Sequence, residues 1–183
     1  MNTPQITAVV QTPLLSPEAC RAIADRTADL PWDQARLYDP DDPDARRSES
    51  CSLAEHAVAA LGADTLARLL GCTRHFNRRC WAATLSGEIE LNLLRYRPGD
   101  HFQRWHSDLS EEADTRKLGF TVQLSPADSY TGGLLEFIEH DEPSTRRQGD
   151  IILFPAFAVH RVTPIEQGVR LVLVGWLHGP RFH

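Results

Sequence analysis

The second half of the chain alternates apolar and polar residues over short segments, which Gly or Pro turns separate. Such alternation is typical of β-strands with one buried face, and several in succession indicate a sandwich or a barrel. The pattern predicts strands near 88–97, 101–107, 117–124, 133–138, 150–154 and 169–177.

Alternation also predicts which side chains share a face, because successive side chains of a strand point to opposite sides. The apolar face of the first strand carries Ile89, Leu91 and Leu93, and its other face is mixed, ending at Tyr96. The segments 118–124 and 170–176 have the same two-faced pattern. If the mixed faces converge inside a barrel, they line an interior cavity.

The N-terminal third has helical signals instead. Ser16 and Pro17 are typical of a helix start, which predicts a helix over 17–29. A capping-box pattern over 52–55 predicts a second helix from Leu53 toward Leu70, interrupted at Gly62. Helices followed by strands favour an α+β, mainly β fold with the helices packed on one face of the sheet structure.

At 183 residues, we expect a single domain over 1–183, with 1–87 as helical support and substrate loops and 88–177 as the core. The net charge of −6 argues against a nucleic-acid partner, and no apolar run approaches a membrane span. The N-terminal residues lack the features of a signal peptide, and no cysteine pair forms Cys-x-x-Cys. We therefore expect a cytoplasmic protein with no membrane partner; nothing in the sequence specifies its oligomeric state.

The stretch RWHSD contains a candidate metal-binding pair, His106 and Asp108. These residues are two apart and project to the same side of an extended segment. Random placement of the 8 His and 14 Asp residues would give about 0.6 such pairs, so the pair alone has little weight. Two histidines and one carboxylate with open coordination positions are typical of non-haem Fe(II) oxygenases. His160, which follows the apolar run GDIILFPAFAV, is either the second histidine or a hydrogen-bonded core residue.

Arg170 opens the apolar strand RLVLVGW and is predicted to point inward. An inward guanidinium needs an anionic partner, because an unpaired buried charge costs several kcal/mol. A small dicarboxylate bound to the metal could supply that partner, and Glu90 is another candidate. The alternative is a surface arginine with a local salt bridge at the end of the strand.

Taken together, these motifs resemble the catalytic core of the Fe(II)/2-oxoglutarate-dependent dioxygenases, in the prolyl 4-hydroxylase-type branch. The resemblance runs from Leu91 to Trp176, about half of the chain, through Tyr96-x-Pro-Gly, His106-Ser-Asp, FTVQLSPADSYTGGLLEF, GDIILFPAFAVHRV and Arg170. It implies a double-stranded β-helix, or jelly roll, with the N-terminal helices packed on its major sheet.

The resemblance also implies roles for individual residues. The iron ligands would be His106, Asp108 and His160, and Arg170 would bind the distal carboxylate of 2-oxoglutarate. Other contacts in the co-substrate pocket would come from Tyr96, Gln123 and Leu135, and Trp176 would close the cavity near the metal.

Substrate contacts are expected from the loops 38–50 and 97–117, because loops on a rigid scaffold usually carry specificity. Arg104 shares its strand phase with His106 and could bind a substrate carboxylate, although it could equally be a surface residue.

The implied reaction uses Fe(II), 2-oxoglutarate and O₂ to hydroxylate an unactivated C–H bond of an amino acid or peptidyl residue, and it releases succinate and CO₂. Asp108 favours hydroxylation over halogenation, which would need a small residue there. The alternatives are a cupin-type isomerase or sensor, a nucleobase demethylase, and a binding module without catalysis. The chain lacks the His-x-His pair usual in cupins, and its segment RLVLVGWLHG lacks the second arginine usual in the demethylases.

Overall fold

The computed structural model describes residues 9–35, 45–110 and 113–181. Its helices are α1 (Pro17–Arg26), α2 (Ala57–Leu61) and α3 (Ala63–Phe76), the last followed by a π-helical turn (Asn77–Trp81). Its strands are β1 (Val10–Pro13), β2 (Asp33–Gln34), β3 (Glu49–Ser52), β4 (Ile89–Tyr96), β5 (Phe102–His106), β6 (Arg116–Gln123), β7 (Tyr130–Gly132), β8 (Leu135–Phe137), β9 (Asp150–Pro155), β10 (His160–Val162), β11 (Ile165–Gly168) and β12 (Arg170–His178). None of these helices is long and apolar enough to cross a membrane.

The strands form one large sheet and two small ones, with antiparallel pairing in each. The large sheet has seven strands in the order β1-β9-β6-β12-β4-β3-β2. The small sheets are β5-β10-β8 and β11-β7. Strand β12 lies in the middle of the large sheet, hydrogen-bonded to β4 on one side and to β6 on the other.

Two hydrophobic cores lie on opposite faces of the large sheet. The helices cover one face, where Leu93 of β4 and Phe120 of β6 are buried with residues of α1, α2 and α3. On the other face, Leu94 of β4 and Val172 of β12 pack with residues of the small sheets, among them Leu135. The predicted two-faced character of β4, β6 and β12 is therefore confirmed.

The N-terminal third contains more strand than its sequence predicted. Strands β1, β2 and β3 join the edges of the large sheet, β1 through β9 and β3 through β4. They are short and carry polar residues, so no apolar alternation marks them. Of the predicted loop 38–50, residues 38–44 lie outside the described residues.

The predicted helices are present with different boundaries. Helix α1 ends at Arg26 rather than near residue 29. The second helix begins at Ala57, not at Leu53, because Ser52 is the last residue of β3. The predicted interruption at Gly62 is correct: this residue has a φ of 82°, which ends α2 and starts α3.

The predicted strand 133–138 is present as β8, and strands β7, β10 and β11 were not predicted. The break between β7 and β8 falls at Gly132 and Gly133, which have φ values of 73° and 60°. A Cβ atom at Gly132 would lie 2.1 Å from the carbonyl oxygen of Pro164, so only glycine fits this turn. The turn separates β7, which pairs with β11, from β8, which pairs with β10.

Truncation of the helix-facing core should lower stability without touching the cavity side. Leu93 is fully buried, and Leu93→Ala should reduce the free energy of unfolding by about 2–5 kcal/mol. The matched control is Val58→Ala on α2, where the side chain is 61% exposed and a change within about 0.5 kcal/mol is expected. Urea denaturation measures both, and equal losses would contradict this description of the core.

Candidate active site

A cavity of about 480 Å³ lies between the large sheet and the small sheets. Its wall includes residues of β4, β6 and β12 on one side and of β5, β8 and β10 on the other. The N-terminal third also contributes, through Gln34, Arg46 and Ser50. This volume falls within the usual range of small-molecule sites, about 300–1,000 Å³.

His106, Asp108 and His160 meet at this cavity. His106 ends β5 and His160 begins β10, and the two residues are direct partners across these antiparallel strands. Their ring centroids are 4.3 Å apart, and Nε2 of His160 lies 3.8 Å from Oδ1 of Asp108. One potential ligand atom from each of the three residues lies within 4.8 Å of the others.

Backbone contacts orient the three side chains. Nδ1 of His106 lies 2.9 Å from the carbonyl oxygen of Arg104, and Nδ1 of His160 lies 2.9 Å from that of Ala158. Because a carbonyl oxygen can only accept, each Nδ1 carries a proton, and in a neutral imidazole the lone pair available to a metal then lies on Nε2. The backbone N–H of Asp108 donates to the carbonyl of Ala156, which joins the two loops that carry the cluster.

Both rings lie in apolar surroundings. The ring of Phe102 stacks on His106 at 3.5 Å between centroids, and Phe137 and Phe154 lie near His160. Burial is the main cause that lowers the pKa of His106 to about 4, and the nearby His160 lowers it further. His106 is therefore neutral at pH 7, as a metal ligand must be.

The cluster fits a divalent metal such as Fe(II). It offers two imidazoles and one carboxylate on one side, which is the donor set of non-haem Fe(II) centres with open positions. Each histidine has a backbone partner for its second nitrogen, the usual orientation of metal-bound imidazoles.

Arg170 is buried at the same cavity, with only 1% of its surface exposed. It faces Tyr96 across β12 and β4, with its guanidinium carbon 5.5 Å from the centre of the Tyr96 ring. Its Nε has no hydrogen-bond partner among the described residues. Glu90, the candidate partner, instead accepts two hydrogen bonds from Arg116, at 2.8 and 3.0 Å. The alternatives of a surface arginine and of a Glu90 pair are therefore wrong.

The structure brings most of the predicted site residues together, but not all of them. Tyr96, Leu135 and Trp176 line the cavity with Arg170 and the three candidate ligands. Gln123 is buried away from it, where its amide donates to the carbonyl of Thr145 at 3.1 Å. Arg104 is exposed and does not line the cavity.

Sequence reasoning missed a charged group at the wall near Trp176. Arg116 pairs with Glu90 and lies over the Trp176 ring, with its guanidinium carbon 3.8 Å from the ring centre. Strict alternation back from Leu118 would turn Arg116 toward the helices. The register shift between Leu177 and His178 breaks that alternation, as β-bulges do, and Arg116 reaches the cavity.

Residues 91–178 match the family model of the 2OG-Fe(II) oxygenase superfamily. Over these residues, slightly less than half of its length, the chain is similar to this superfamily. Among curated proteins, a PKHD-type hydroxylase of Synechococcus elongatus is 41% identical over 95 residues, which cover 48% of this chain and 42% of that protein. A PKHD-type hydroxylase of Idiomarina loihiensis is 32% identical over 91 residues, which cover 48% and 41%. The chain thus matches about two fifths of the length of these relatives.

Solved structures share the fold of this chain over nearly its whole length. A Pseudomonas putida prolyl-4-hydroxylase has a TM-score of 0.75 at 20% identity and covers 95% of this chain and 94% of its own. The viral collagen prolyl hydroxylase of Paramecium Bursaria Chlorella virus-1 has a TM-score of 0.67 at 15% identity, with 94% and 96% covered. The predicted jelly roll is confirmed.

Gly119 of β6 should be required for the position of Asp108 at the cavity. A Cβ atom there would lie 2.7 Å from the Phe154 ring and 3.1 Å from Oδ2 of Asp108. Gly119→Ala should therefore weaken anaerobic Fe(II) binding by roughly 10- to 100-fold, as loss of supporting contacts around metal ligands typically does.

The matched control is Gly71→Ala on α3, where an added Cβ atom meets nothing within 4 Å. It should keep the affinity of the parent, and His160→Ala sets the level of a lost ligand. Calorimetric Fe(II) titration compares the four proteins. Parental affinity in Gly119→Ala would show that this contact does not position the carboxylate.

Proposed function

We propose that the chain is an Fe(II)- and 2-oxoglutarate-dependent hydroxylase that acts on an unactivated C–H bond of an amino acid or peptidyl residue and releases succinate and CO₂. The observation that carries this proposal is Arg170. A buried guanidinium whose Nε has no hydrogen-bond partner among the described residues lies on the same cavity as the cluster of His106, Asp108 and His160. A dicarboxylate that reaches both would satisfy the charge of Arg170.

Each group has a distinct task in this proposal. Fe(II) held by His106, Asp108 and His160 would supply O₂ activation coupled to oxidative decarboxylation of 2-oxoglutarate. Arg170 would bind the distal carboxylate through two parallel hydrogen bonds, which a planar guanidinium favours. The ring of Tyr96, opposite Arg170, fixes the direction from which the carboxylate approaches.

Apolar side chains form part of the cavity wall. Leu94, Val172 and Val174 line one side of it, and Leu135 covers the opposite side. Exclusion of water strengthens the pairing of Arg170 with a carboxylate, because charges interact more strongly in a low dielectric.

The other functions considered from the sequence have less support. Among the described residues, the potential metal ligands form one cluster, with a single carboxylate and two histidines rather than the three histidines and glutamate usual in cupins. Asp108 occupies the ligand position that a halogenase would leave open, so hydroxylation is favoured. No contact of the cavity favours a nucleobase.

The substrate class follows from two kinds of support. Relatives similar to this chain are named PKHD-type hydroxylases, and proteins of the same fold are named prolyl hydroxylases. The cavity is near the lower end of the range for small-molecule sites, which suits a single amino-acid residue beside 2-oxoglutarate. We place the protein in the cytoplasm, where its four free cysteines would stay reduced.

The direct test is co-substrate turnover. The protein loaded with Fe(II) should bind 2-oxoglutarate without O₂ and form succinate when O₂ is admitted, at a rate that a true substrate raises. Mass spectrometry should then find a product one oxygen heavier. Iron binding without 2-oxoglutarate binding would refute the proposal and favour another metal-dependent jelly roll.

Arg170 variants test the observation that carries the proposal. Arg170→Leu should weaken 2-oxoglutarate binding by roughly one to two decades, the loss of a charge-assisted bidentate pair worth about 1.5–3 kcal/mol. Arg170→Lys should lose less, because it keeps the charge but not the planar fork. Both should bind Fe(II) like the parent. Equal 2-oxoglutarate affinities in anaerobic calorimetry would contradict the assignment.

A further inference from the structure

Among the described residues, three arginines line the cavity, and they differ in what satisfies their charge. Arg170 is the proposed partner of 2-oxoglutarate, and Arg116 has a bidentate pair with Glu90. Arg46 lines the same cavity but has no carboxylate partner among the described residues. It precedes β3, outside the region that matches the superfamily.

Contacts on two sides hold Arg46 in place. Its Nε donates to Oγ of Ser48 at 3.1 Å, and Ser48 is buried. Its guanidinium carbon lies 5.2 Å from the centre of the Phe102 ring, and Phe102 stacks on His106 at 3.5 Å. The guanidinium is thus separated from a candidate iron ligand by one aromatic ring.

The charges of the loaded cavity leave Arg46 unbalanced. The charges of Fe(II), Asp108, 2-oxoglutarate and Arg170 cancel one another, and Glu90 cancels Arg116. The remaining charge among the described lining residues is that of Arg46. Arg46 is half-buried whereas Arg170 is 1% exposed, so Arg46 lies nearer the solvent side of the cavity.

We propose that Arg46 binds the carboxylate of the substrate, so that the substrate is an amino acid with a free α-carboxylate, either as the free molecule or as the last residue of a peptide. This inference rests on the proposed hydroxylase function. The guanidinium offers two parallel N–H groups in the geometry that a carboxylate accepts. Arg104, the residue expected for this role from the sequence, is exposed and does not line the cavity.

The probes are the proteinogenic L-amino acids, each as the free acid, as the amide and as the N-acetylated acid. They are assayed with the protein loaded with Fe(II) and 2-oxoglutarate, by succinate formation and by product mass. Calorimetry without O₂ measures binding of the best acid and of its amide. The variants are Arg46→Gln, Arg46→Lys and Arg47→Gln.

Arg47 supplies the matched control. It is the next residue, its side chain is 70% exposed, and its Nε lies 3.4 Å from Oδ1 of Asp100. It does not line the cavity. Arg47→Gln therefore removes the same charge from the same segment while leaving the cavity wall intact.

In the parent, the best acid should bind about tenfold more tightly than its amide, as expected for a partly solvated charge-assisted pair. Arg46→Gln should remove that preference by weakening binding of the acid alone, and Arg46→Lys should keep part of it. Arg47→Gln should behave like the parent. If free and N-acetylated acids give equal succinate formation, the substrate is the carboxyl-terminal residue of a peptide. If N-acetylation abolishes succinate formation, the substrate is a free amino acid.

Three results would overturn the inference while leaving the hydroxylase standing. The first is that the parent binds the best amino acid and its amide equally, or that it binds 2-oxoglutarate but none of the amino acids. The second is an equal loss for acid and amide in Arg46→Gln. The third is weakened 2-oxoglutarate binding in Arg46→Gln, which would place Arg46 in the co-substrate site. A parent that fails to bind 2-oxoglutarate in the presence of Fe(II) would instead refute the hydroxylase itself.

Discussion

The register of β12 between β4 and β6 is the constraint on which the rest of the site depends. This strand is paired on both sides, and the pairing sets Arg170 opposite Tyr96 and Trp176 opposite Glu90 and Gly119. A shift by one residue would turn every one of these β12 side chains to the helix face. The buried residues on both faces, Leu173 toward the helices and Val172 toward the cavity, oppose such a shift.

The parts of the fold that could be predicted are the long segments in which apolar and polar residues alternate regularly. Strands β4, β6 and β12 each have eight or nine residues, and their alternation gave the correct faces. The strands β2 and β3 were not predicted, because β2 has only two residues, both polar, and β3 has the sequence ESCS. The capping-box pattern over 52–55 gave the wrong helix start for a related reason. Ser52 pairs with Asn92 of β4 and stays extended, and a local motif cannot reveal such pairing.

For the site, the sequence contained the chemistry but not all of its geometry. The candidate ligands and Arg170 were found because short motifs and an inward charge mark them. Arg46 carries no such mark, since its place beside Phe102 depends on an isolated bridge between Arg47 and His101 that joins distant parts of the chain. Arg116 was not predicted at the cavity because a β-bulge turns its side chain to the opposite face of the strand. Gln123 was predicted at the cavity, but its amide donates to the backbone carbonyl of Thr145 instead.

The two hydrophobic cores on opposite faces of the large sheet separate two properties that many enzymes must trade against each other. Helix-facing positions such as Leu93 and Leu173 contribute to the melting temperature and have no side chain in the cavity wall. Cavity-facing positions such as Leu94 and Val174 shape what the wall accepts. Descendants of this chain could therefore adapt to a warmer habitat through one face of the sheet while their chemistry on the other face stayed the same.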